Sequence, residues 1–107
     1  MAKWTVEFDE RALSEIQEWP VDIRANLSRI IGLIEDFGPH MVGMPHVRPI
    51  EGKVWEMRPK GKDGIARALC FSTTGRRAII LRGFRKKTEK TPRREIETAN
   101  ERMKDHG

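Results

Sequence analysis

The sequence predicts an α+β fold: an N-terminal strand and an α-helical hairpin packed on a mainly antiparallel sheet of four to five strands, followed by a C-terminal helix. Three observations carry that expectation. Residues 4–8 alternate apolar and polar side chains, the period of a half-buried strand. Ile23, Leu27, Ile30 and Ile34 recur at the spacing of one helical face. Beyond residue 53, three apolar runs are separated by short glycine-containing turns, and short connections favour antiparallel neighbours.

Taken in order, Trp4, Val6 and Phe8 form the apolar side of the first strand. Asp9 offers an N-cap to a helix with Leu13 and Ile16 on its apolar face, which stops near Trp19 because Pro20 disfavours helical geometry there. Pro20 opens the second helix, Ile31 widens its stripe, and Gly38-Pro39 ends it. Residues 38–52 hold too much glycine and proline for a helix and read as a loop with a short edge strand around Val47 to Ile50. Strands follow at Val54 to Arg58, Ile65 to Ser72 and Arg77 to Phe84. Thr91 is placed to cap a C-terminal helix with Pro92 at its first position and Ile96, Ala99 and Met103 on its apolar face. Within the third strand, Trp55 and Met57 point at the hairpin while Glu56 and Arg58 share the other face. In the fourth, Ala66, Ala68 and Cys70 line one face for close helix packing, which leaves Arg67 on an open face with Ile65, Leu69 and Phe71; a bulge that shifts the register is the alternative.

A chain of 107 residues fits one domain spanning 1–107. With 37% hydrophobic and 35% charged residues, its surface is very polar, and no apolar run approaches the roughly 20 residues of a membrane span. No signal peptide is expected before Trp4. A single cysteine, Cys70, excludes an intrachain disulfide and a cysteine-based zinc site; it fits a reducing cytosol and reads as a small core residue. His40 and His46 have no Cys, Asp or Glu at ligand spacing, so no metal and no other cofactor is expected.

Charge is distributed unevenly. Residues 1–52 carry five Lys/Arg against nine Asp/Glu, whereas residues 53–107 carry sixteen against seven. The densest stretch is Leu81-Arg82-Gly83-Phe84-Arg85-Lys86-Lys87-Thr88-Glu89-Lys90-Thr91-Pro92, where an apolar strand ends in a burst of cations before a helix start. Clustered Lys and Arg repel one another and are best tolerated where a polyanion sits, which points to nucleic acid. If the strand continues, Arg85 and Lys87 point one way and Lys86 the other, and mutual repulsion lowers a lysine pKa.

Together with the order β-α-α-β-β-β-α, three segments carry a family resemblance: Val54-Trp55-Glu56-Met57-Arg58, Gly64-Ile65-Ala66-Arg67-Ala68-Leu69-Cys70-Phe71, and the cationic segment itself. The chain resembles RelE-like toxins of type II toxin–antitoxin systems, most closely the HigB-like, phage-associated branch, over nearly its whole length. Two departures stand out. Arg82 occupies a position where that branch usually has His, and the chain has no Tyr. The resemblance implies ribosome-dependent, metal-independent cleavage of mRNA by attack of a ribose 2′-hydroxyl on its own 3′ phosphate. Arg67 and Arg58 suit stabilisation of the phosphorane charge. Lys86 or Lys87 suits proton transfer, and Glu56 is either the general base or an ion-pair partner that holds the arginines. RNA contacts fall to Arg82, Arg85, Lys90, Lys53 and Lys60. The resemblance also implies a neighbouring antitoxin, commonly a helix-turn-helix protein, that covers the basic face. Two other readings share the fold: a ParE-like inhibitor of DNA gyrase, and an inactive RNA-binding regulatory protein.

Overall fold

The computed structural model describes residues 3–87 and 90–106, so the Thr88-Glu89 step of the cationic segment lies outside the described residues. Strand β1 (Thr5–Phe8) leads into α1 (Glu10–Gln17). The Asp9 carboxylate accepts the Arg11 backbone N–H at 2.8 Å and satisfies one of the helix's first free donors. The same carboxylate holds the Arg11 guanidinium and, at 2.8 Å, the His106 ring, which ties the end of the described chain to the start of α1. The buried side of α1 is Ala12 and Ile16, continued by Trp19 beyond the helix end. Leu13, expected on that face, is 39% exposed. An eight-residue helix has too few apolar residues to define its own frame, and docking onto the sheet chose the one that begins a position earlier.

Helix α2 (Val21–Phe37) buries Ile23, Leu27, Ile30 and Ile34 as its periodicity predicts. It ends at Gly38, whose φ of 81° suits glycine; a Cβ there would also sit 2.6 Å from Trp4 Nε1. One further turn of helix, α3 (Pro39–Val42), interrupts the expected loop. The sheet strands are β2 (Val47–Glu51), β3 (Val54–Met57), β4 (Lys60–Gly61), β5 (Gly64–Thr73) and β6 (Arg77–Lys86). Their order is β1-β6-β5-β3-β2, with β4 also on β5. β1 runs parallel to β6, and the other pairs are antiparallel.

The sheet is covered on both faces. Ala66, Ala68, Cys70, Met57 and Ile80 pack under the helical hairpin with Trp55 at the margin, so the small face of β5 does admit the helices closely. The register also shifts between Leu69 and Cys70, where Leu81 is the extra residue on β6. Helix α4 (Arg93–Met103) buries Ile96 and Ala99 against Leu69, Phe71, Ile79 and Leu81 on the opposite face. The face expected to be open is therefore roofed at one end, and Arg67 is only 5% exposed. Thr91 is not the cap of α4: Pro92 occupies the N-cap position, without a side-chain cap bond. Cys70 is fully buried, and burial pushes its thiol up to about 12.

Gly83 belongs to this packing. A Cβ there would lie 2.6 Å from Ile16 Cγ1 and 3.1 Å from Trp19 Cζ2, so only glycine lets α1 approach β6 this closely.

Candidate phosphate-binding site

Strand register builds the site. Arg48 on β2 lies directly across from Glu56 on β3, and Glu56 lies across from Leu69 on β5, two residues from Arg67. Side chains two apart share a face, so Glu56, Arg48, Arg58 and Arg67 converge below the N-terminal end of α4. The Glu56 carboxylate is fully buried. Its Oε1 accepts from Arg58 Nη1 at 2.7 Å and Arg48 Nε at 3.0 Å, and Arg67 Nε stands 3.6 Å away. Its Oε2 accepts the Thr91 hydroxyl. Burial opposes ionisation of Glu56, but the Thr91 and Arg48 hydrogen bonds and the nearby guanidinium charges override it and hold the carboxyl below the usual carboxylate range. An ionised carboxylate with its lone pairs committed to these donors is a weak base. Glu56 is thus the hub of an ion-pair cluster, the arrangement of the second of its two expected roles.

Around this hub the cations outnumber the carboxylate. Arg67 donates Nη1 to the Ala66 carbonyl at 2.8 Å, while its buried Nε makes no hydrogen bond among the described residues. Beside it, Phe84 pairs with Arg67 and Lys86 with Ile65, so Lys86 shares the Arg67 face. Lys86 is 7% exposed, and its Nζ has no hydrogen-bond partner among the described residues. Burial, then repulsion from Arg67, lowers the Lys86 pKa, with Glu56 pulling the other way. The direction matches the lowered lysine pKa expected from the sequence, but the cause differs: Arg85 and Lys87, expected to supply the repulsion, are exposed, and the charges that act on Lys86 are those of Arg67, Arg58 and Arg48. Burial also lowers the Arg67 pKa, followed by repulsion from Arg58. Two buried cationic side chains on one face, each with a nitrogen that meets no acceptor among the described residues, form a site with the chemistry to grip an oxyanion.

Three hollows meet this cluster. One, of about 180 Å³, is lined by Asn26, Met44, Pro45, His46, Arg58, Lys60, Ile65 and Arg67. A second, of about 330 Å³, runs past Phe84, Lys86, Lys87 and Arg94. The third includes Arg48, Lys90 and Thr91. Lys60, Lys90, Arg85 and Lys87 therefore border the cluster, although Arg85 also donates to the Asp63 carbonyl at 2.7 Å. Lys53 does not join it: it is exposed in the β2–β3 turn, at the opposite end of β3 from Arg58.

Arg82 is also placed elsewhere. β1 ends opposite Ile80, which leaves the following edge of β6 open, and Glu15 of α1 reaches over to accept the Gly83 N–H at 3.1 Å. Arg82 bonds Glu15 and donates to Glu95 of α4 at 2.7 Å; Arg102 grips Glu15 at 2.8 and 2.9 Å and the Leu81 carbonyl at 2.9 Å. This network fastens α1, β6 and α4 together, and Arg82, expected among the RNA contacts, has its guanidinium engaged in it. Sequence reasoning missed Arg48, Thr91, Asn26 and His46. Only Arg48 left a signal, as a cation facing Glu56 across a hairpin whose register the β2–β3 turn would fix.

Among the described residues, no three His, Cys, Asp or Glu side chains converge, and no helix is long and apolar enough to cross a membrane. The structure resembles that of a free-state mutant of the E. coli toxin RelE, with a TM-score of 0.59 and 16% identity, covering 96% of this chain and 97% of that one. At that identity the likeness shows a shared fold, which is the RelE-like fold expected from the sequence motifs. No curated protein matches the sequence. The profile of the phage-derived, Gp49-like proteins matches residues 14–104, a span that holds helix α2, the hub at Glu56 and helix α4. The chain belongs to the Gp49-like family of phage-derived proteins.

Proposed function

We propose that this protein is the toxin of a toxin–antitoxin pair and acts as a ribosome-dependent, metal-independent mRNA endoribonuclease. The observation that carries the reading is the pair of buried cationic donors at Arg67 and Lys86, held above a single occupied carboxylate. The RelE-like fold and Gp49-like family membership support it. In the reaction, a ribose 2′-oxygen attacks the adjacent phosphorus, the bond from phosphorus to the 5′ oxygen breaks, and a 2′,3′-cyclic phosphate and a 5′-hydroxyl result. Arg67 and Arg58 hold the phosphate oxygens as negative charge grows on them. Lys86, with its lowered pKa, is neutral more often than an exposed lysine and takes the 2′-hydroxyl proton. A proton reaches the 5′ oxygen as it leaves, and exposed Lys87 is the nearest neighbour in sequence suited to give it. Glu56 and Thr91 keep the guanidinium groups in place. The partner that neutralises such a site is an antitoxin, of the helix-turn-helix type in the resemblance, covering the basic face.

Induction in cells followed by mapping of mRNA 5′ ends tests the proposal. Wild-type protein should produce new ends in translated transcripts, and Arg67→Ala should reduce them by a factor on the order of 10²–10³ while remaining folded. A folded Arg67→Ala protein with full cleavage would remove the assigned role. Intact transcripts accompanied by DNA-damage signalling would turn the reading to gyrase inhibition.

A further inference from the structure

The hollow beside Arg67 is built differently from the phosphate cluster it adjoins. Its walls include Met44, Pro45 and Ile65, apolar surfaces on which a flat ring can lie. Beside the His46 ring, which can accept or donate, its polar side chains present donors. The Asn26 carboxamide oxygen accepts the Lys60 backbone N–H at 2.9 Å, which fixes the amide orientation and leaves the Nδ2 hydrogens as the group on offer. Lys60 and Arg58, also in the lining, can only donate. Single-stranded RNA is read by stacking unpaired bases and bonding their edges. A hollow with apolar walls and donor tips selects a base whose edge accepts.

Resting on the phosphate-site reading above, we propose that this hollow is a nucleobase pocket for a residue flanking the phosphate on Arg67 and Lys86. Asn26 is its specificity-determining residue, and guanine is its preferred base. Guanine presents O6 and N7 side by side as acceptors. Uracil offers its keto oxygens without that adjacent pair and ranks second. Adenine and cytosine direct an amino group at the donors and are disfavoured.

Nucleoside 3′- and 5′-monophosphates of the four bases test this, because the phosphate is constant and only the base varies. Purified protein is titrated with each at fixed salt, and affinity is read from NMR shifts. The guanine nucleotide should bind about tenfold more tightly than the adenine one, the size of preference one good two-point contact supports. Asn26→Ala should bring that ratio to about one. Asn26→Asp keeps an oxygen for the Lys60 N–H but removes the donors, and should move the order toward adenine and cytosine. Equal affinity of the wild type for all four bases would overturn the pocket and leave the phosphate site standing. A guanine preference unchanged in folded Asn26→Ala and Asn26→Asp proteins would overturn the role of Asn26. Failure of the wild type to bind any of the nucleotides would remove the phosphate site and the pocket with it.

Discussion

Two charged clusters lie on the same strand, a few residues apart, and they are built in opposite ways. At the middle of β6, Arg82 and Arg102 meet Glu15 and Glu95, two cations against two carboxylates, with exposed Arg94 3.9 Å from Glu95. At its end, Arg48, Arg58, Arg67 and Lys86 surround one carboxylate, Glu56. Each cluster takes one cation from the same run of basic sequence, Arg82 in the first and Lys86 in the second, yet the first is matched within the fold and the second is not. A matched cluster fastens elements together, whereas an excess of buried donors holds its charge for a ligand at some cost in stability.

Glu56→Gln should break this contrast most severely. It leaves three guanidinium groups near an uncharged amide, and loss of one partner of a buried ion pair costs roughly 3–5 kcal/mol. Urea unfolding measures it, and a loss below about 1 kcal/mol would mean that Glu56 is no hub. The effect depends on pH with a definite sign. The Glu56 pKa is lowered by folding, so its stabilisation is complete above the unfolded value of about 4.3 and is lost as pH falls through the folded one. The gap between wild type and Glu56→Gln should therefore close on acidification.

Arg82→Ala should come next, destabilising the protein by roughly 1–3 kcal/mol through the buried acceptors it strands, with mRNA cleavage unchanged where the variant is folded. Cleavage lost in a folded Arg82→Ala protein would place Arg82 back among the functional cations. Lys86→Met should move the other way. Removing a buried ammonium that has no hydrogen-bond partner among the described residues and filling its volume should stabilise the fold by about 1 kcal/mol while cleavage is lost. An unchanged or lower melting temperature would show that Lys86 is paired after all. The smallest effect belongs to Arg85→Ala: RNA affinity should fall slightly and uniformly across sequences, with the log–log salt slope reduced by about 0.7. A change in base preference instead would show that Arg85 reads the RNA.

Most of the fold was legible in the sequence because each element is set by short-range rules. The stripe from Ile23 to Ile34, the alternation of Trp55 and Met57 against Glu56, and the small face at Ala66, Ala68 and Cys70 all follow from periodicity. Leu13 escaped those rules because α1 is too short to fix its frame, and Thr91 because its hydroxyl had a better partner than the helix N-terminus. Within the site, Arg58, Arg67 and Lys86 were legible as candidate cations on strands, and the β5–β6 register puts Lys86 on the Arg67 face. Arg48, Thr91 and Asn26 were not, since each matters only through a contact with a residue far along the chain: 8, 35 and 34 positions away.

The sequence by itself determined most of the strands and helices, the face most of their side chains take, and that positive charge gathers in the second half. Tertiary structure alone decided which of those charges remain available. Glu15 comes to Arg82 from 67 residues away, and the fold buries Arg67 on the sheet face that α4 also packs against. Backbone periodicity sets direction from one residue to the next. The net charge of a cluster and its contact with water depend on long-range packing, which no local pattern records.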